Sequence, residues 1–382
     1  MEESAETCRL SRRITRVETI PLFIPLRTAF KIANGPPRQS VEVLLVRLHT
    51  GEGIAGVGET QAWRRQGSAE TLASLCAVIE RHFTPHLVGQ SPFALSSIMH
   101  NLEDAIHHSL YAQAAVADAL YDLQGKLLGV PVHQLIGGRC RDVVPTCKTL
   151  TMKDSIEETL EGAREAYAQG YRSFTVKIGL GPQDDVRNVR ALRTQLGDDI
   201  IIRVDANAGM EFDGALALLK KLEPFDIDAA EQLLPIWDLD GMAELARRVN
   251  ISMMADESIA TDHDLIEIVK RRAANAIHTK VAKNGGLWGT RKLWTIAQAG
   301  GIRIFPGNHP STSIGTASVL HLAAAWPGVL LDGPFPIGLS VLADDVVTEP
   351  IRMEGNLVRV PNRPGWGYIL DEEKIRKLRV DA

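Results

Sequence analysis

"RSFTVKIGLG", Arg172 to Gly181, has the alternation of a short strand: Phe174, Val176 and Ile178 face one way, Thr175 and Lys177 the other, and glycines close the run. On an edge strand such a lysine faces water; in a strand covered on both sides it needs a partner or a task. The flanking sequence favours the second setting. From about residue 144 to 332, apolar runs recur as "VPTCKTLT", "SFTVKI", "IIIRVDA", "IDAAEQ", "ISMMADE", "AIHTKVAK", "GIRIFPG" and "GVLLDG". Segments of helical spacing lie between them, among them "DGALALLKKLE", "LDGMAELARRV" and "DHDLIEIVKRR". Eight strand-like runs alternating with helices is the count of a (β/α)8 barrel.

The rest of the chain is organised differently. Residues 1–12 lack the apolar core of a signal peptide and read as a loose tail. Residues 13–130 begin as a glycine-punctuated meander ("RITRVETIPLFIPL", "SVEVLLVRLHT", "GEGIAGVGET") and continue as helices ("AETLASLCAVIERHF", "ALSSIMHNLEDAI", "YAQAAVADALYDLQGKLLG"), an α+β domain. "LGVPVHQLIGGRCRDVVP" connects it to the barrel, expected over residues 131–335, and residues 336–382 read as short strands and a helix that return to the first domain. The predicted fold class is therefore α/β, a (β/α)8 TIM barrel with an N-terminal α+β domain.

Composition excludes several functions. The 382 residues carry a net charge of −5, with no massed basic patch, so nucleic acid is not an expected partner. No apolar run approaches the ~18 residues of a membrane span. The four cysteines form no CxxC pair, which fits reduced thiols in the cytoplasm and argues against a cysteine metal site.

In a barrel, chemistry sits at the C-terminal ends of the strands. Those ends carry Lys177, Asp205, Glu231, Asp256 with Glu257, and Lys280, spaced 28, 26, 25 and 24 residues apart, one βα unit each. Three carboxylates on neighbouring strands repel unless a cation sits among them. An all-oxygen set suits Mg2+, with Mn2+ the second candidate, better than zinc. Taken singly, each acid is equally well read as a cap on the following helix. The two lysines flank the acids from the second and sixth strands, opposite each other across the mouth. They suit proton removal on one face of a bound anion and delivery on the other. A lysine titrates near ~10.4 and a useful base near ~7–8, a shift of about 4 kcal/mol that burial and a divalent cation are expected to supply in part. Lys283 reads as a structural partner of a nearby acid.

The motifs "FTVKIG", "RVDANAG", "AEQ", "ADES" and "KVAKNGG", in this order and spacing, identify a resemblance to the enolase superfamily, specifically the mandelate racemase/muconate lactonizing enzyme group and its muconate cycloisomerase-like branch. The resemblance spans nearly the whole chain and implies that the barrel is a modified (β/α)8 TIM barrel and the first domain an N-terminal α+β capping domain. It implies Mg2+ held by Asp205, Glu231 and Asp256, with Asn207 and Glu257 supporting the metal site, and Lys177 and Lys280 as acid/base catalysts. The implied reaction removes the proton α to a carboxylate through a metal-stabilised enediolate, which is itself an example among general cases of such chemistry. The products are those of a racemase, epimerase or cycloisomerase acting on a small-molecule carboxylate. A hydroxy-acid dehydratase of the same superfamily and a non-catalytic metabolite-binding barrel are the alternatives. The resemblance also implies assembly into a homo-oligomer. The chain departs from the branch at Thr175, where relatives carry a further lysine, and at Leu330, where cycloisomerases and dipeptide epimerases tend to carry an acid; only Asp332 remains of a D-x-D pair. Candidate substrate contacts are Thr175, His309, Asp332, Phe30 and Trp63, with Lys31, Arg64 and Arg65 in the same two loops of the capping domain.

Overall fold

The computed structural model describes residues 11–30, 38–62, 70–150, 155–179, 181–328 and 330–381. Most of the expected N-terminal tail lies outside these residues. Three antiparallel strands, β1 (Ile14–Phe30), β2 (Arg38–Thr50) and β3 (Ala55–Gln61), form a meander with β2 in the middle. Val43, Leu44, Leu45 and Val46 of β2 are buried in succession, as befits a strand covered on both faces. β1 tolerates Pro21 and Pro25 because, among the described residues, β2 is its only ladder partner and its outer edge makes isolated bridges alone, where the two proline carbonyls accept from the backbone N–H groups of Val380 and Ala343. The helices Leu72–Val78, Leu95–Ala105 and Leu110–Leu128 follow.

The last of these helices is buried from Tyr111 to Gly125. It packs on β3, where two glycines admit it: a Cβ on Gly58 would lie 2.0 Å from the Ala115 carbonyl oxygen, and one on Gly56 2.3 Å from that of Ala119. Its polar residues serve as anchors. Asp122 accepts from the backbone N–H of Val57 (2.8 Å) and of Trp366 (2.8 Å), and Asp118 accepts from that of Leu287 (2.8 Å). One helix therefore joins the meander to the helix Gly286–Ala299 and to the C-terminal segment.

That sheet has seven strands in sequence order: β5 (Lys148–Leu150), β6 (Ser173–Lys177), β7 (Ile201–Asp205), β8 (Ile227–Glu231), β9 (Ser252–Ala255), β10 (Ala276–Lys280) and β11 (Arg303–Gly307), all parallel where paired. Two strand expectations change. β4 (Val143–Pro145) pairs antiparallel with β13 (Leu357–Arg359), itself paired with β12 (Met353–Glu354), so the parallel sheet starts at Lys148 and not at Val144. Among the described residues the eighth run, "GVLLDG", contributes one parallel bridge, Ile304 to Leu330, because Pro327–Gly328 and Gly333–Pro334 bound it closely and leave few ladder positions. Side chains nonetheless tie distant parts of the sheet. The Thr146 hydroxyl donates to the Gly333 carbonyl (2.6 Å), and the buried Arg203 reaches Asp228 (2.7 Å), Ser173 (2.8 Å) and Asp332 (3.0 Å).

The C-terminal segment returns to the first domain. Leu342 and Arg379 form bridges with Leu26 and Leu22 of β1, and the indole N–H of Trp366 donates to the Val57 carbonyl (2.8 Å).

Candidate active site

Register brings the charged residues together. Lys177 pairs with Asp205 across β6 and β7, and Asp205 with Glu231 across β7 and β8. Glu231 is level with Met254, and Met254 with Ala276, so Asp256 and His278, each two residues further on, share the next level and the same face. Lys280 follows two residues beyond His278. Asp205, Glu231, Asp256, His278 and Lys280 are all buried.

The lysines hold the outer carboxylates. The Lys177 ammonium donates to Asp205 Oδ2 and to Asn207 Oδ1 (2.9 Å), and that of Lys280 donates to Asp256 Oδ2. Lys283 is paired with the same aspartate, donating to its Oδ1 (2.7 Å) and its carbonyl oxygen. Glu231, between them, lies within hydrogen-bond distance of His278 Nδ1 (2.7 Å). His278 Nδ1 is also 3.8 Å from Asp256 Oδ2.

Strained turns lock the strand ends. Asn207 and Ala208 take φ of 46° and 58°, and the Asn207 N–H donates to Asp205 Oδ1 (2.7 Å). The Asn207 amide reaches Glu257 Oε1 (3.1 Å), linking β7 to β9. Gln232, at φ 31°, accepts from the backbone N–H of Asp256 (3.0 Å) and Ser258 (3.1 Å), so the residue after Glu231 fixes the next acid.

Electrostatics reflect burial opposed by charge. Burial and the adjacent Asp205 and Asp256 push the Glu231 carboxyl well above the usual range, and burial with Asp256 pushes Glu257 up to about 8. Although burial favours its neutral form, Asp256 is held well below the usual range by Lys280 and Lys283. Burial pushes His278 down to about 3. For both Lys177 and Lys280 burial is outweighed by the facing carboxylates, and both stand above the ordinary lysine value. With carboxylates as the neighbours, the ammonium form of each is favoured.

The remaining candidates divide. His309 is buried at the rim, its Nε2 2.9 Å from the hydroxyl of Tyr111, with the two rings stacked at 5.8 Å. Tyr111 belongs to the capping helix, so this pair crosses from one domain to the other. Thr175 lies deeper, its hydroxyl 3.6 Å from the buried Cys147 Sγ. Asp332 is engaged by Arg203 through its Oδ1 (3.0 Å). Trp63, Lys31, Arg64 and Arg65 lie outside the described residues, and of Phe30 only the strand backbone is described.

Sequence reasoning missed His278 and Glu59. His278 stands two before Lys280 in "HTK", so the strand period of two put it on the lysine's face. Glu59, on β3, is buried and accepts four hydrogen bonds. They come from the Thr312 N–H (3.0 Å) and hydroxyl, the Gly315 N–H (3.0 Å) and the Gln61 amide (2.7 Å). Gln61 also donates to Ser311 (3.0 Å). The meander thereby grips the loop that carries His309 and the start of the helix Ser313–Ala325.

The donor set tests whether a divalent cation fits. Ligand atoms of Glu231, Asp256 and His278 lie within 4.8 Å of one another, and Asp205 adjoins Glu231 in register. Buried carboxylates in mutual contact suit a hard divalent ion.

An antiparallel meander joined to a parallel sheet, with acids flanked by lysines at its strand ends, is the arrangement that the comparisons with known proteins match. Residues 14–137 match the mandelate racemase / muconate lactonizing enzyme N-terminal domain, and residues 158–374 match the enolase C-terminal domain-like family. The chain belongs to the mandelate racemase/muconate lactonizing enzyme group of the enolase superfamily and is an isomerase of that type. It is 32% identical over 362 residues to a chloromuconate cycloisomerase of Cupriavidus pinatubonensis, covering 93% of this chain and 95% of that one. It is 33% identical to muconate cycloisomerase 1 of Rhodococcus opacus, covering 95% and 97%. The crystal structure of N-succinyl Arg/Lys racemase from Bacillus cereus superposes with a TM-score of 0.91 at 29% identity, covering 96% of this chain and 98% of that one. Among the described residues, no helix is long and apolar enough to cross a membrane.

Proposed function

We propose that this enzyme isomerises a small carboxylate by moving the proton on the carbon next to it, with Lys177 and Lys280 as opposed acid/base groups. The observation that carries this is the row from the half-buried Lys177 through the buried Asp205, Glu231 and Asp256 to the buried Lys280, with a lysine at each end. Asp205, Glu231 and Asp256 would hold Mg2+ or Mn2+, which when bound neutralises the carboxylates and stabilises the charge left after proton removal. Asn207 and Glu257 orient the Asp205 end of the set, and Gln232 the Asp256 end. Each lysine starts as an ammonium braced by a carboxylate. The one that serves as base must first give up its proton; the other delivers a proton to the opposite face.

The same proposal takes residues 13–130 as the capping domain, 131–335 as an eight-unit barrel with Leu330–Asp332 as its eighth strand, and 336–382 as the returning segment. The Thr146–Gly333 hydrogen bond supports that closure. Relatives named for cycloisomerisation and for racemisation of an N-succinyl amino acid bracket the substrate class. Thr175 beside Cys147 leaves β6 with a single mouth-facing lysine.

The test is deuterium wash-in on N-acylated amino acids and muconate-type diacids with Mg2+. Exchange at the α-carbon is expected, falling by about 10²–10⁴-fold in Lys177→Ala and in Lys280→Ala. Full exchange in both variants would refute the assignment.

A further inference from the structure

We infer that His278 is a fourth protein ligand of the metal, giving this site a nitrogen donor among its oxygens. The inference rests on the metal reading above and goes beyond its three carboxylates. Its basis is placement. His278 Nδ1 is 2.7 Å from Glu231 Oε1 and 3.8 Å from Asp256 Oδ2. An ion ~2.1 Å from each donor in an octahedral set puts neighbouring donors ~3.0 Å apart and opposite donors ~4.2 Å apart. Both separations are within reach of one ion.

The ring is held in that orientation. A Cβ on Gly307 would lie 1.8 Å from His278 Nε2, so the absent side chain at Gly307 makes room for that edge of the imidazole. The Phe305 ring meets the imidazole at 4.8 Å and 70°. Nδ1 is thereby left as the ring nitrogen aimed at the carboxylates. The ring is buried, so water competes little for it. Imidazole favours transition ions, whereas Mg2+ takes oxygen almost exclusively. A residue that only oriented Glu231 through a hydrogen bond would place no nitrogen on the ion.

Electron spin-echo measurements on chelator-treated enzyme reloaded with one equivalent of Mn2+ test this, together with competition between Mn2+ and Mg2+ by calorimetry. Wild type should show imidazole 14N coupling, and His278→Asn should lose it. Mn2+ affinity should fall roughly 10- to 100-fold in the variant, with a much smaller change for Mg2+. Circular dichroism of His278→Asn checks folding, and the wild-type coupling stands even if that variant is unstable. Mn2+ bound without 14N coupling, or with coupling that persists in His278→Asn, overturns the assignment and leaves the carboxylate site intact. Failure of wild type to bind either ion overturns the metal reading as well.

Discussion

Glu59→Gln separates two opposing influences on one buried carboxyl group. Burial outweighs the four donors around Glu59 and pushes it up to about 7 from an ordinary 4.5. Between those values the folded protein binds more protons than the unfolded chain, so the free energy of unfolding falls as pH rises. The stabilisation is complete below the unfolded value and is lost on passing through 7. A shift of that size corresponds to about 3 kcal/mol. Glutamine does not titrate. It also sets an amide N–H against the donors from Gly315 and Thr312, at a cost of roughly 1–3 kcal/mol that is the same at every pH. Wild type should therefore be clearly the more stable at pH 4.5, and the advantage should shrink by about 3 kcal/mol and vanish or reverse by pH 8. Urea unfolding of both proteins across that range measures the difference, and titrations common to both cancel. A difference independent of pH, or one that grows with pH, would show that the four donors govern and that Glu59 is ionised throughout.

Two further expectations concern packing and charge. Lys283→Met removes one of the two lysines on Asp256 and should destabilise the fold by about 3 kcal/mol, read as a lower urea midpoint; an unchanged midpoint would mean Lys280 alone compensates. Gly58→Ala drives a methyl to 2.0 Å from the Ala115 carbonyl oxygen and should cost at least about 1–3 kcal/mol in thermal unfolding, whereas a neutral result would show that the capping helix shifts freely on β3.

Much of the site was legible because a parallel α/β chain repeats: each strand ends one βα unit after the last, so Lys177, Asp205, Glu231, Asp256 and Lys280 stood out by spacing alone. His278 was not singled out because a histidine inside an apolar strand resembles a core residue; only its lateral neighbours, Glu231 and Asp256, give it meaning. Glu59 and Gln61 were hidden for a different reason. Their partners Thr312 and Ser311 lie some 250 positions away in sequence, and no local period reports a contact of that range. The same holds for Tyr111 and His309. β4 looked like a barrel strand because its apolar run fits either sheet, and its pairing with β13 was decided by the far end of the chain.

The grip of β3 on the His309 loop bears on how such enzymes diversify. β3 ends at Gln61, two residues before Trp63, named above as a candidate substrate contact. The joint and the candidate contacts are thus adjacent in sequence but separate, so one can be rewritten without unseating the other. A chimera that imports a new specificity loop should keep its catalytic scaffold if the splice falls after Gln61, and lose it if the splice falls before Glu59.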